Sequence, residues 1–137
     1  MEKAVAKSLN TFLEGHFMAI HAYEKFIQHI KNDDMKDVLQ IIQQNHKKHA
    51  MLIAKRIQDL GGVPVNDVNM MMDLTNKMKP ATKGNAAIIE DALAGEQRGI
   101  KISKELLEGD LDHESLEMVT HILNADEKHV DLLAKFA

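Results

Sequence analysis

The sequence predicts an all-α protein: an antiparallel four-helix bundle with a long crossover between its second and third helices. Three observations lead there. Apolar residues make up 45% of the 137 residues, but aromatics only 4%, so the core must come from Leu, Ile, Val, Ala and nine Met, a mix that favours helix over sheet. Two prolines and seven glycines leave few places to break a helix. Four long stretches carry apolar residues at helical spacing, and the strongest stop signal falls between the second and the third.

The first helix is expected over about residues 3–31, where Val5, Leu9, Phe12, Leu13, Ile20, Ile27 and Ile30 make one stripe. Asn32, Asp33 and Asp34 form a turn that supplies an N-cap for the next helix. The second helix is expected over about residues 35–60, with Val38, Leu39, Ile42, Leu52, Ile53 and Leu60 inward. Gly61 and Gly62, then Val63 and Pro64, stop it. Residues 61–84 form the connection, with a short helix expected over 68–78. Met70, Met71, Met72 and Met78 in that stretch suggest packing against the bundle in preference to soft-metal capture. The third helix covers about residues 85–108, with Ile89, Leu93, Ile100 and Leu107 inward. After a turn at Gly109 to His113, the fourth covers about 114–136, with Val119, Ile122, Val130 and Leu133 inward. Helices of this size are roughly 39 Å long, and a connection of this length can cross that distance.

Composition limits function. A chain this long is expected to be one domain, residues 1–137. The formal charge is −4, with both signs interspersed, which argues against a nucleic-acid partner. The absence of cysteine removes disulfides, thiolate nucleophiles and iron–sulfur clusters. No apolar run suits a signal peptide or a membrane span. The expectation is a soluble, cytoplasmic protein with no membrane partner.

One pattern stands out because it occurs twice in register. His46 follows His16 by 30 positions and His49 comes 3 later; Asp126 follows Glu96 by 30 and His129 comes 3 later. Residues three apart share a helix face, so His46/His49 and Asp126/His129 each make a two-toothed clamp. All six lie on or beside the predicted apolar stripes. Their distances from the intervening turns place them in one layer near mid-bundle. A buried carboxylate there needs a cation. Either a metal ion supplies it or, on the plainer core reading, a basic side chain does, and Arg56 is the candidate partner for Glu96. Of the remaining polar residues, Glu24 is expected in a solvated pair with His21, one turn away. His29 and His113 are expected to be exposed, and Tyr23 either hydrogen-bonds a ligand or fills space in the core.

On these residues the whole chain resembles the ferritin-like superfamily, the rubrerythrin and bacterioferritin type of di-iron carboxylate bundle. It is also similar, in Ala22-Tyr23-Glu24-Lys25, His49-Ala50 and Leu60-Gly61-Gly62, to a small bacterial ferritin-like family of unknown function. The resemblance implies metal ligands at His16, His46, His49, Glu96, Asp126 and His129. Two of these depart from the family's glutamates to histidine, at His16 and His46, and Asp126 is a shortened third. Two carboxylates neutralise one divalent ion, and imidazoles suit transition metals over Mg or Ca. One ion or an asymmetric pair is therefore expected. The resemblance favours iron, with zinc or manganese as alternatives, and implies redox chemistry with O2 or peroxide linked to iron or oxidative stress. The alternative is a non-enzymatic structural or stress-response bundle with a structural or vestigial site. A homodimer is compatible with either. A hemerythrin-like bundle fits less well, since His121 and Asp126 lack a companion His-x3-His pair.

Overall fold

The computed structural model describes residues 2–67 and 84–137. Among them four helices form the bundle: α1 (Glu2–His29), α2 (Asp33–Asp59), α3 (Asn85–Leu107) and α4 (His113–Ala134). All four expected helices are present, with every end within two residues of its expected place. The short helix expected over residues 68–78, and its methionines, lie outside the described residues. No described helix is long and apolar enough to cross a membrane.

Local chemistry sets the helix ends. Asn32 caps α2 by accepting from the Met35 N–H at 2.9 Å, and Asp112 caps α4 by accepting from the Ser115 N–H at 3.1 Å. Helix α2 ends in a Schellman motif, with the Gly62 N–H donating to the Ile57 carbonyl and the Gly61 N–H to that of Gln58, both at 2.9 Å. The motif needs a left-handed residue, and Gly61 supplies it with φ 82°. Gly62 serves a different need: a Cβ there would lie 3.0 Å from both Ala6 Cβ and Ile57 Cγ2.

Hydrogen bonds fix the topology. Leaving α2, the chain runs back along α1, where Asn10 bonds the Val63 carbonyl at 2.9 Å and the Val65 N–H at 2.8 Å. At the other end of α1, the Lys31 N–H donates to Asn85 at 2.9 Å, at the first residue of α3. So α3 starts at the end of the bundle opposite to where α2 stops, and the connection between them must cross the bundle's length. Every pair of neighbouring helices is therefore antiparallel. Packing is most extensive within the α1–α2 and α3–α4 hairpins, and lighter along the α1–α3 and α2–α4 seams.

Two apolar clusters fill the interior. One contains Leu9, Leu13, Ile53, Ile57, Val119 and Ile122, the other Leu39, Ile42, Ile88, Ile89 and Leu133, each almost wholly buried. Burial of each such side chain contributes about 1.5–3 kcal/mol. Along every helix the six residues of the repeated pattern fall between these two clusters. One expected core position is misplaced: Leu52 is 44% exposed. It sits about 100° around the helix from Ile53, outside the arc that α1 and α4 cover.

Candidate metal centre

The polar layer is buried throughout. His16, His46, His49, Glu96, Asp126 and His129 are each between 1% and 6% exposed. Two sets of possible ligand atoms lie within 4.8 Å of one another: His16, His46 and His49, and His46, Glu96, Asp126 and His129. His46 belongs to both. Every sequence-predicted site residue is thus in one of two adjoining groups, and each group could hold a metal ion.

Glu96 lies between two imidazoles. The His129 Nδ1–H donates to its Oε1 at 2.6 Å and the His46 Nε2–H to its Oε2 at 2.9 Å. Asp126 Oδ1 lies 3.4 Å from His129 Nδ1. Burial pushes the Glu96 carboxyl up, but the hydrogen bonds from His129 and His46 outweigh it and hold the pKa at about 2. Burial likewise opposes the His129 cation, and the Asp126 and Glu96 carboxylates beside it overcome it, raising its pKa to about 9. The Asn45 amide meets the other nitrogen of that ring, with Nδ2 3.0 Å from Nε2. As placed, the amide donates to a neutral ring; turned over, its oxygen accepts from the protonated ring that the two carboxylates favour.

His16 and His49 behave in the opposite way. Burial first, then the neighbouring His46, lowers His16 to about 4. Burial, followed by the neighbouring imidazoles of His16, His46, His129 and His121, lowers His49 to about 3. Both rings are neutral at pH 7 and can offer a lone pair. The His16 Nδ1–H donates to the Phe12 carbonyl at 3.0 Å, one turn earlier, which leaves Nε2 as the lone-pair nitrogen. His16 Nε2, His46 Nδ1, His49 Nδ1 and Asp126 Oδ1 are all buried without a hydrogen-bond partner. Four such atoms in one layer would carry an unrepaid desolvation cost, and a cation among them would remove it.

Arg56, the candidate counter-ion for Glu96 on the plainer core reading, is engaged elsewhere. It donates to Ser115 at 3.1 Å, Glu114 at 2.6 Å and Asp112 at 2.7 Å, tying α2 to the start of α4. The expected His21–Glu24 pair also gives way. His21 meets Asp67 at 2.8 Å, and Glu24 accepts from the buried Gln43 at 3.2 Å, since both have partners better placed across helices. Tyr23 is 2% exposed and its hydroxyl has no hydrogen-bond partner. Burial and the nearby Glu96 charge push that phenol well above its ordinary pKa.

Two residues outside the predicted six belong to the surroundings of the centre. Asn45 contacts His129 across the α2–α4 seam, and the His121 ring lies 5.8 Å from that of His49. Asn45 left a weak signal, an amide of poor helix propensity in mid-helix beside a predicted ligand. His121 left only its spacing to Asp126, because its own helix face is polar.

Several solved structures share this architecture. A dodecameric thioferritin, the bacterioferritin-related protein from Bacteroides fragilis, superposes with TM-score 0.87 at 22% identity, over 99% of this chain and 85% of that one. The Dps protein of Vibrio cholerae O1, described as one of a broad superfamily of ferritin-like diiron-carboxylate proteins, gives 0.82 at 15% identity over 98% and 89%. A two-domain protein from Anabaena variabilis with DJ-1/ThiJ/PfpI-like and ferritin-like domains gives 0.82 at 18% identity, and this chain spans 99% of itself but only 36% of that protein. These likenesses establish the ferritin-like fold. No curated protein matches the sequence. Residues 4–109, most of the chain, match the domain of unknown function DUF2383, and the chain belongs to that family.

Proposed function

We propose that this protein binds a divalent transition metal in the polar layer, with His16, His46, His49, Glu96, Asp126 and His129 as direct ligands. The observation that carries the reading is the set of four buried, unpartnered ligand atoms in that layer, His16 Nε2, His46 Nδ1, His49 Nδ1 and Asp126 Oδ1. The donor set fits a metal by its chemistry as well: imidazole nitrogens and carboxylate oxygens suit iron, zinc or manganese. Two carboxylates balance one divalent ion, so one ion, or two held asymmetrically, is the expected load. The ferritin-like fold favours iron, which would supply one-electron chemistry toward O2 or peroxide when bound. The chain's own part is to hold His16 and His49 neutral and ready, and to give up the Nδ1 proton of His129.

Metal analysis by mass spectrometry on untagged protein, purified without imidazole or chelator, tests this. About one or two transition-metal ions per chain are expected. His49→Ala should lose most of that load, while His113→Ala, with its 83% exposed side chain, should lose none. Equal loss in both would sink the ligand assignment. Saturating metal at about 1,000 times its Kd should add roughly 4 kcal/mol, so chelation should lower the Tm of the loaded protein.

One observation favours a second reading, a structural bundle that needs no metal. Glu96 already closes a pair of short hydrogen bonds with His46 and His129. On that reading the Tm is identical with and without chelator, and no metal remains after reconstitution.

A further inference from the structure

The lighter α1–α3 seam leaves a cleft of about 280 Å³ that opens to solvent and reaches the polar layer. Phe12, Ala19, Phe26, Ala92 and Ile102 give it mostly apolar walls. Three glycines from mid-helix, Gly15, Gly95 and Gly99, also line it. Glycine in a helix interior costs about 0.8–1.0 kcal/mol relative to alanine, and neither usual reason for accepting that cost holds at these positions. None of the three has positive φ. A Cβ would meet nothing within 4 Å at Gly15, only the end of the Arg98 side chain at 3.7 Å at Gly95, and Asp126 Oδ2 at 3.6 Å at Gly99. Their effect on the fold is to leave this space open.

At the inner end, four buried polar side chains with an unpartnered atom line the cleft: His16 (Nε2), His46 (Nδ1), Asp126 (Oδ1) and Tyr23 (the hydroxyl). They are 6%, 3%, 2% and 2% exposed. The first three belong to the proposed metal ligands. The Tyr23 hydroxyl does not; it makes no hydrogen bond of good geometry, and the Glu96 carboxylate beside it already accepts from His46 and His129. At the rim Arg98 and Asp91 carry opposite charges, so the mouth itself selects for neither sign.

We propose that the α1–α3 cleft binds a small monocarboxylic acid, its apolar body against the cleft walls and its carboxylate at the metal centre beside Tyr23. A carboxylate has two acceptor oxygens, one for an open position on the ion and one for the Tyr23 O–H. With two ions bound, its negative charge would also offset part of the excess that Glu96 and Asp126 leave unbalanced. The volume suits a body somewhat larger than benzene, which occupies a cavity of about 150 Å³. The proposal rests on the metal reading above and adds the class of molecule that shares the site.

The test uses the full chain loaded with Co(II), with metal content measured on the same sample. Acetate, butanoate and hexanoate are titrated by calorimetry and by the visible Co(II) spectrum. Affinity should rise about fourfold per added methylene, and each acid should perturb the spectrum. Gly15→Leu and Gly95→Leu, which fill the cleft from opposite helices and favour helix formation, should weaken hexanoate at least tenfold with unchanged metal content. Tyr23→Phe should weaken all three acids by a similar factor. Equal affinity for acetate and hexanoate, no effect of either leucine variant, or undiminished binding to metal-free protein overturns the proposal while the metal reading stands. A chain that takes up no Co(II) overturns both, and the metal measurement tells the two failures apart.

Discussion

Replacing Glu96 by alanine should destabilise the metal-free protein more than any other single change in the polar layer. Glu96 is 3% exposed and accepts from both His129 and His46. Removing it leaves a buried His129 whose raised pKa depends on that carboxylate, with Asp126 at 3.4 Å as the remaining anion. Breaking a buried ion pair by deleting one partner costs about 3–5 kcal/mol. For a chain of this size that corresponds to a fall in Tm of roughly 10–20 °C. Glu96→Gln should cost less, because the amide oxygen still accepts one imidazole proton although the negative charge is gone. Thermal melts at pH 7 in excess chelator make the comparison. An alanine variant within about 3 °C of the parent would mean that the pair contributes nothing net, the outcome known for some buried ion pairs exchanged for apolar side chains.

Much of this arrangement was legible in the chain, and the limits have physical causes. Side-chain type and a 100° helical step suffice to put His16, His46, His49, Glu96, Asp126 and His129 on inward faces, and turn positions suffice to put them at one height. The Asn32 cap and the Gly61–Gly62 stop were legible because they depend on local backbone chemistry alone. What depends on the placement of one helix against another was not. Arg56 points partly inward on its own helix, yet its guanidinium goes to Asp112, Glu114 and Ser115, because the start of α4 lies beside it. Glu24 is taken by Gln43 from α2, and Leu52 falls outside the covered arc. The cleft is the extreme case: it exists because the α1–α3 seam packs lightly, and helical periodicity says nothing about how closely two helices approach. Nor does spacing tell which ring nitrogen carries the proton. In His16 that follows from the Phe12 carbonyl, and in His46 from Glu96.

The protonation pattern makes stability depend on pH in a way that separates the rings. His16 faces His46 and His49 from α2, Glu96 from α3 and Asp126 from α4; the carboxylates favour its cation, but burial and His46 prevail. Its pKa is about 4 in the fold against an ordinary 6.5, so between these values the unfolded chain binds the extra proton. Stability is then lost as pH falls from 6.5 toward 4, by an amount on the order of 3 kcal/mol for this ring. His49, at about 3, acts in the same direction, although the two are neighbours and their effects do not simply add. His129 has the opposite sign. With a folded pKa of about 9, its contribution is fully present below 6.5 and is lost as pH rises through 9. Glu96, at about 2, contributes above its ordinary 4.5 and loses that contribution only as pH falls through 2. Metal-free protein should therefore be most stable near pH 6.5–7, with an acid arm that begins well above the carboxylate range. Denaturant midpoints in chelator from pH 4 to 10 measure both arms. His16→Phe should flatten the acid arm and leave the alkaline arm in place. Midpoints that stay level from pH 7 to 5 would show that these rings titrate alike in the folded and unfolded chain, and that burial does not hold them neutral.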